Sequence, residues 1–308
     1  MDLLQPLRRR MISDIEAVGG RHDEAEIYGG EPGDPGLAGG PGSVSWQLHS
    51  DLGVVAAAGS AAIVMEVLHP SVMAGVSSQS TFRTQPLRRA QNTLGYVLRT
   101  TFGSTPSATA VIERVHRIHS RIEGVRPDGV AYQALQPELI AWVHTCIPWA
   151  IMTAYDRYRG PLSREEKDRY LAEQAPIGRM GGADEVPTSV EELDAFVARI
   201  RPELAVNEQT REFIRFLAEG TVGDRAAGPR ERAERWMGLR GSMMLMPDWA
   251  RELTGLDHGS TAARVLSDRL ERTKVDVTNW AYPVLPCVTM ARDRAAGAEI
   301  STPTSEAA

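Results

Sequence analysis

Four of the seven histidines in this 308-residue chain fall within or at the ends of apolar helical segments: His69, His116, His119 and His144. Imidazole titrates near neutral pH and is the commonest protein ligand for metals, so these positions are the first candidates for chemistry. Over Ser107 to Glu123, Ile112, Val115, Ile118 and Ile122 recur at helical spacing; His119 falls in that stripe, with His116 three residues earlier on the adjoining face. Such a histidine needs a partner. A backbone or side-chain hydrogen bond satisfies most buried ones, and a metal or cofactor satisfies the remainder. Over Pro137 to Arg159 the stripe runs Ile140, His144, Ile147, Ile151 and Tyr155. Pro148 removes the hydrogen bond that would reach back to the His144 carbonyl, which predicts a kink; on its own, that describes a core helix.

Arg89 and Thr93 lie four residues apart on a segment from Pro86 to Phe102, so guanidinium and hydroxyl share a face, with Asn92 beside them. Pairs of this kind usually edge a solvated helix. Here Leu94, Val97 and Leu98 mark the segment as partly buried, and an Arg near a core asks for a carboxylate. Glu66, at the end of an apolar run that stops at His69-Pro70, is the candidate partner. A mononuclear metal held by His116, His119 and His144 is a further possibility if their rings converge.

The elements that would position these groups read as helices. Candidates are Ser50 to Val67, Pro86 to Phe102, Ser107 to Glu123, Pro137 to Arg159, Ser163 to Ala175, Ser189 to Arg201, Gln209 to Glu219, Pro229 to Met246, Pro247 to Thr254 and Ala262 to Ala281, while strand-like alternation is hard to find. The fold class is all-α. Ser163 with Glu166 and Thr188 with Glu191 match capping boxes, and Pro86, Pro137 and Pro247 suit first turns. Residues 1–28 read as a short polar helical extension, 29–43 (seven Gly, three Pro) as a flexible linker, 44–294 as one helical domain and 295–308 as a disordered tail.

Composition narrows the function classes. Lys plus Arg total 34, almost all Arg, against 40 Asp plus Glu, a net charge of -6 that argues against nucleic acid as a partner. Two cysteines make no disulfide framework. The apolar, uncharged run Leu52 to Met65 is too short to span a bilayer, and no secretory signal is recognisable, so a cytoplasmic protein is expected. HExxH, CxxC, GxSxG, Walker A and strand-preceded GxGxxG patterns are missing, which removes the mechanical parts of zinc-protease, dithiol, hydrolase-elbow and nucleotide-binding readings.

Four segments in order, HPSVMAGVSSQSTFRTQPLRRAQNTLGYV, VIERVHRIHSRIEG, YQALQPELIAWVHTCIPWAIMTAYDRYRGPLSREEKDRYLAE and LMPDWARELTGL, resemble the MpaB and rubber oxygenase (latex-clearing protein) catalytic domain family over roughly Trp46 to Pro286. The resemblance implies a single all-helical domain with a globin-like core and binding of haem b. It makes His119 the proximal iron ligand with His116 as neighbour, and Arg89 and Thr93 the Arg and Thr of an R-x-x-K-T segment. Asn92 stands where that segment has its Lys, a group that in the rubber-cleaving branch can occupy the distal iron position. Glu66 is the candidate active-site carboxylate, and His144 a pocket-lining group or proton donor. The implied activity is a haem-dependent oxygenase or oxidase using dioxygen on a small or lipophilic substrate. A haem or apolar-ligand carrier or sensor without turnover is the alternative, favoured by the loss of that Lys.

Overall fold

The computed structural model describes residues 4–78, 84–222, 225–226, 228–256 and 260–297. Helix accounts for 72% of it, which settles the all-α class. Two hairpins of very short strands, β1 (Glu123–Val125) with β2 (Ala131–Gln133) and β3 (Thr221–Val222) with β4 (Arg225–Ala226), complete the regular structure among the described residues.

At the centre is α4 (Leu52–Glu66), capped by the Asp51 carboxylate, which accepts from the Val54 N–H at 2.9 Å. Its Ala and Val residues are buried on nearly every side, so the run needs no polar face. Small side chains let α8 (Pro137–Tyr158) lie along one flank, while α12 (Pro229–Met243) and α14 (Thr261–Ala281) cover the other. At Gly53 a Cβ would come 2.5 Å from the Val275 carbonyl oxygen of α14, so glycine permits that approach. α5 (Pro70–Ser78) follows at a 105° bend, and no single described helix is long and apolar enough to cross a membrane.

α6 (Pro86–Phe102) packs on α7 (Thr105–His119), and α9 (Arg164–Met180) packs on α8 and on the short α3 (Val44–His49). Ser163 and Glu166 form the expected capping box at the start of α9. For α10 (Val190–Ile200) the cap lies one residue later than Thr188: Ser189 accepts from Glu192 N, and the Glu192 carboxylate takes the Thr188 N–H at 2.7 Å. α11 (Glu208–Glu219) and α13 (Asp248–Thr254) fall close to their expected positions, with Pro247 as cap rather than first-turn residue. α8 continues through Pro148 as one helix.

The N-terminal region differs most from expectation. α1 (Gln5–Gly19) and α2 (Ala25–Tyr28) join a second apolar cluster with Trp46, Leu98, Phe102 and, from α15 (Pro286–Ala295), Cys287 and Val288. Residues 29–43 are not a flexible linker: they form consecutive turns locked at two polar anchors. Asp34 accepts from Thr105 N and Oγ1, both at 2.6 Å, and the fully buried Arg294 of α15 donates to the carbonyls of Asp34, Tyr28 and Phe102. Gly36, with φ +73°, sits where a Cβ would meet the Gly103 carbonyl at 2.6 Å. These bonds compensate the ordering entropy that composition alone could not. Most of the expected tail, residues 298–308, lies outside the described residues.

Candidate functional site

Arg89, Thr93 and Tyr96 follow one another at i, i+4 and i+7 along α6 and share one side of it. Arg89 is half-buried, and Thr93, more exposed, spends its hydroxyl proton on the Arg89 carbonyl at 3.1 Å. Asn92 is exposed. Glu66 closes α4, whose last carbonyl accepts from Trp142 Nε1 at 3.1 Å and so ties the helix end to α8. Loss of water around the Glu66 carboxyl pushes its pKa up to about 8, with the Arg89 charge opposing the shift. Desolvation likewise weakens the hold of Arg89 on its proton, and Glu66 opposes that in turn. The expected partnership is therefore real as a field. No ion pair within 4 Å joins the two among the described residues.

Glu66, Arg89 and Tyr96 combine two properties: they are stripped of much of their water, yet each keeps accessible surface. Burial pushes the Tyr96 phenol up to about 12, so it is a neutral hydrogen-bonding group there.

Two of the histidines, His116 and His144, lie against the glycine-rich end of α9. His144 lays its ring on Gly178, where a Cβ would come 2.6 Å from the ring Cδ2. Its Nε2 is buried without a hydrogen-bond partner, and burial drives the imidazole down to about 4, the Gln174 backbone partly offsetting this. His116 is exposed, with Nδ1 3.3 Å from the Gly181 carbonyl oxygen and its ring beside Gly182.

His119 is the last residue of α7 and half-buried rather than central to a core stripe. The stripe is narrower than its spacing predicts: Ala108 and Ile112 are buried, whereas Ile118 is 50% exposed because α7 lies at the edge of the bundle. Burial first, and the neighbouring His116 second, lower the His119 pKa, which keeps the ring neutral at pH 7. No hydrogen bond engages its ring among the described residues.

Among the described residues no three or more His, Cys, Asp or Glu side chains converge on a common point. A mononuclear centre built from His116, His119 and His144 is thereby set aside, since His116 turns to Gly181 and His144 to Gly178. Haem asks for an apolar slot between helices, one neutral imidazole whose other nitrogen is fixed by an acceptor, and a cation or hydroxyl groups for its carboxylates. His119, half-buried with no hydrogen bond on its ring among the described residues, offers the imidazole and half-buried Arg89 a cation, and the orphaned Nε2 of His144 marks a second imidazole with unused capacity.

A family model described as the ER-bound oxygenase mpaB/B'/rubber oxygenase catalytic domain matches residues 46–275, well over half of the chain. The chain belongs to this family. No curated protein and no solved structure matches it. The mpaB/rubber oxygenase domain thus spans α3 to most of α14, while the Arg294 clamp and the second apolar cluster are built largely by flanking segments.

Sequence reasoning missed Tyr96 and Gly178. Tyr96 was legible as the next residue of the Arg89–Thr93 side of α6. Gly178 carries no local signal, because its role appears only when α8 lies across α9.

Proposed function

We propose that the chain is a haem b-dependent oxygenase or oxidase acting on a small or lipophilic organic molecule, with dioxygen as co-substrate. The observation that carries this reading is the half-buried, neutral and unengaged imidazole of His119 in a chain of the oxygenase family. Haem, when bound, would supply the redox and dioxygen chemistry that no amino-acid side chain provides. His119 would hold it through one ring nitrogen.

Arg89 would bind a carboxylate of the cofactor or substrate, as its charge is only distantly countered by Glu66. Glu66, protonated over most of the neutral range, would hold a proton at its carboxyl and offer it to a ligand bound beside it. Tyr96 adds a neutral hydroxyl, and Val97, Leu98 and the Ala/Val face of α4 make the surroundings apolar.

An absorption spectrum of protein titrated with hemin tests the assignment. A Soret band that saturates at one equivalent and disappears in His119→Ala is expected. Its absence, or its persistence in that variant, refutes it. Oxygen uptake with a reductant and candidate lipids or terpenoids then separates an enzyme from a carrier.

A further inference from the structure

α14 is turned inside out. Its inward side carries Ser267, Glu271 and Val275, all buried against α4 and α12. Its outward side carries Leu266, Leu270, Val277 and Trp280, exposed by 56%, 38%, 38% and 42%, with Thr273 among them. At 100° per residue, positions 266, 270, 273, 277 and 280 fall within an arc about 80° wide, opposite the buried side. Their spacing is 4-3-4-3, the repeat of a helix seam that packs against another helix.

We propose that this stripe is the seam of a twofold dimer in which α14 packs antiparallel on α14 of a second copy. Antiparallel seams set one class of heptad position against the other, which leaves two central registers. One would place Thr273 against the partner's Val277 and bring Asp276 beside the partner's Asp276. The other pairs Leu266 with the partner's Val277 and Leu270 with the partner's Thr273, sets Trp280 over the partner's Ala263, and brings Arg269 beside the partner's Asp276.

Charge and size both select the second register. Each large side chain meets a smaller one, and Arg269 meets an opposite charge, the Asp276 carboxylate that also accepts from Arg159 Nη1 of its own chain at 2.7 Å. The Arg269 guanidinium has no partner within its own chain among the described residues. Arg269, Arg272, Lys274, Asp268 and Asp276 mix both signs along the edges, which suits a copy of the same surface better than an anionic bilayer. α1, which donates from Arg8 Nε to the Ala281 carbonyl at 3.1 Å, adds exposed Leu4 and Leu7 near one end of the seam.

Sedimentation velocity and disulfide trapping test the register. The wild type should sediment at twice its 33.6 kDa chain mass at micromolar concentration. Leu270→Glu should weaken dimerisation roughly 100-fold with unchanged far-ultraviolet circular dichroism, and Arg269→Glu roughly tenfold at low salt. Native Cys146 and Cys287 are buried and stay silent in trapping. An oxidised mixture of Leu266→Cys and Val277→Cys proteins should give a covalent dimer that neither gives alone. A monomeric wild type, a dimer indifferent to Leu270→Glu, or a monomer that cosediments with anionic vesicles through the same residues would overturn the proposal.

Discussion

The Glu66 carboxyl and the Arg89 guanidinium lie near enough to feel each other's charge and too far apart to form an ion pair within 4 Å. Each stays desolvated, and the carboxyl keeps its proton to about pH 8. A raised carboxyl pKa favours the folded state at low pH, and this contribution is lost as pH climbs from the ordinary value of 4.5 through about 8. Glu66→Gln should therefore gain stability relative to wild type at alkaline pH, by roughly 1–3 kcal/mol, with little gain at pH 5. Urea unfolding at the two pH values measures it. An equal effect at both would mean that the carboxyl is ionised throughout.

His49 makes the opposite linkage. Thr101 Oγ1 gives its single proton to the Val97 carbonyl at 2.8 Å, so it accepts from His49 Nδ1 at 2.6 Å. Nε2 is then the acceptor for the Tyr170 hydroxyl at 2.8 Å. Full burial takes the pKa down to about 3, so the folded protein loses stability as pH falls from 6.5 toward that value. Unfolding free energy should drop below pH 6.5, and His49→Gln should make the slope shallower by about 1.4 kcal/mol per pH unit. A slope unchanged in the variant would assign the acid sensitivity to other groups.

Gly178→Ala should drive the His144 ring from its seat, since the new methyl would lie 2.6 Å from Cδ2. A cost of about 1–3 kcal/mol is expected from overpacking. Gly181→Ala, whose nearest contact outside its neighbours is a carbonyl oxygen at 3.2 Å, should cost less. Thermal melts of the two variants decide between a fitted contact and a general intolerance of side chains there.

His116→Ala should retain most of its hemin affinity, because that ring is exposed and directed at Gly181. Parallel titrations of the His116 and His119 variants measure the difference. Equal loss in both would show that the two rings act together.

Arg294→Met should strip three backbone carbonyls of a buried donor and cost roughly 3 kcal/mol or more. Within residues 29–43, Leu37 is followed by Ala38, so chymotrypsin cutting after Leu37 reports their release. Cleavage at the wild-type rate would mean that other contacts hold the loop.

Helices with strong local signals were legible: Pro86 opens α6, and Ser163 with Glu166 starts α9. The short α2, α3 and α5 were not, because too few turns carry any periodicity. The pairing of Glu66 with Arg89 could be proposed from type and burial, since a charged pair near a core is chemically constrained. His119 was placed on the right helix but too deep, because helical spacing gives a direction and says nothing of what stands opposite. The ordering of residues 29–43 was hidden for a related reason: the side chain that holds them is more than 250 residues away.

The clamp also sets an order of events. Arg294 reaches back 260 residues to Asp34 and 266 to Tyr28, so the turns of residues 29–43 cannot be fastened until Arg294 itself has left the ribosome. These turns thus acquire their final bonds long after their own synthesis, and removal of α15 would leave residues 29–43 open to proteases even with α4 and α8 assembled.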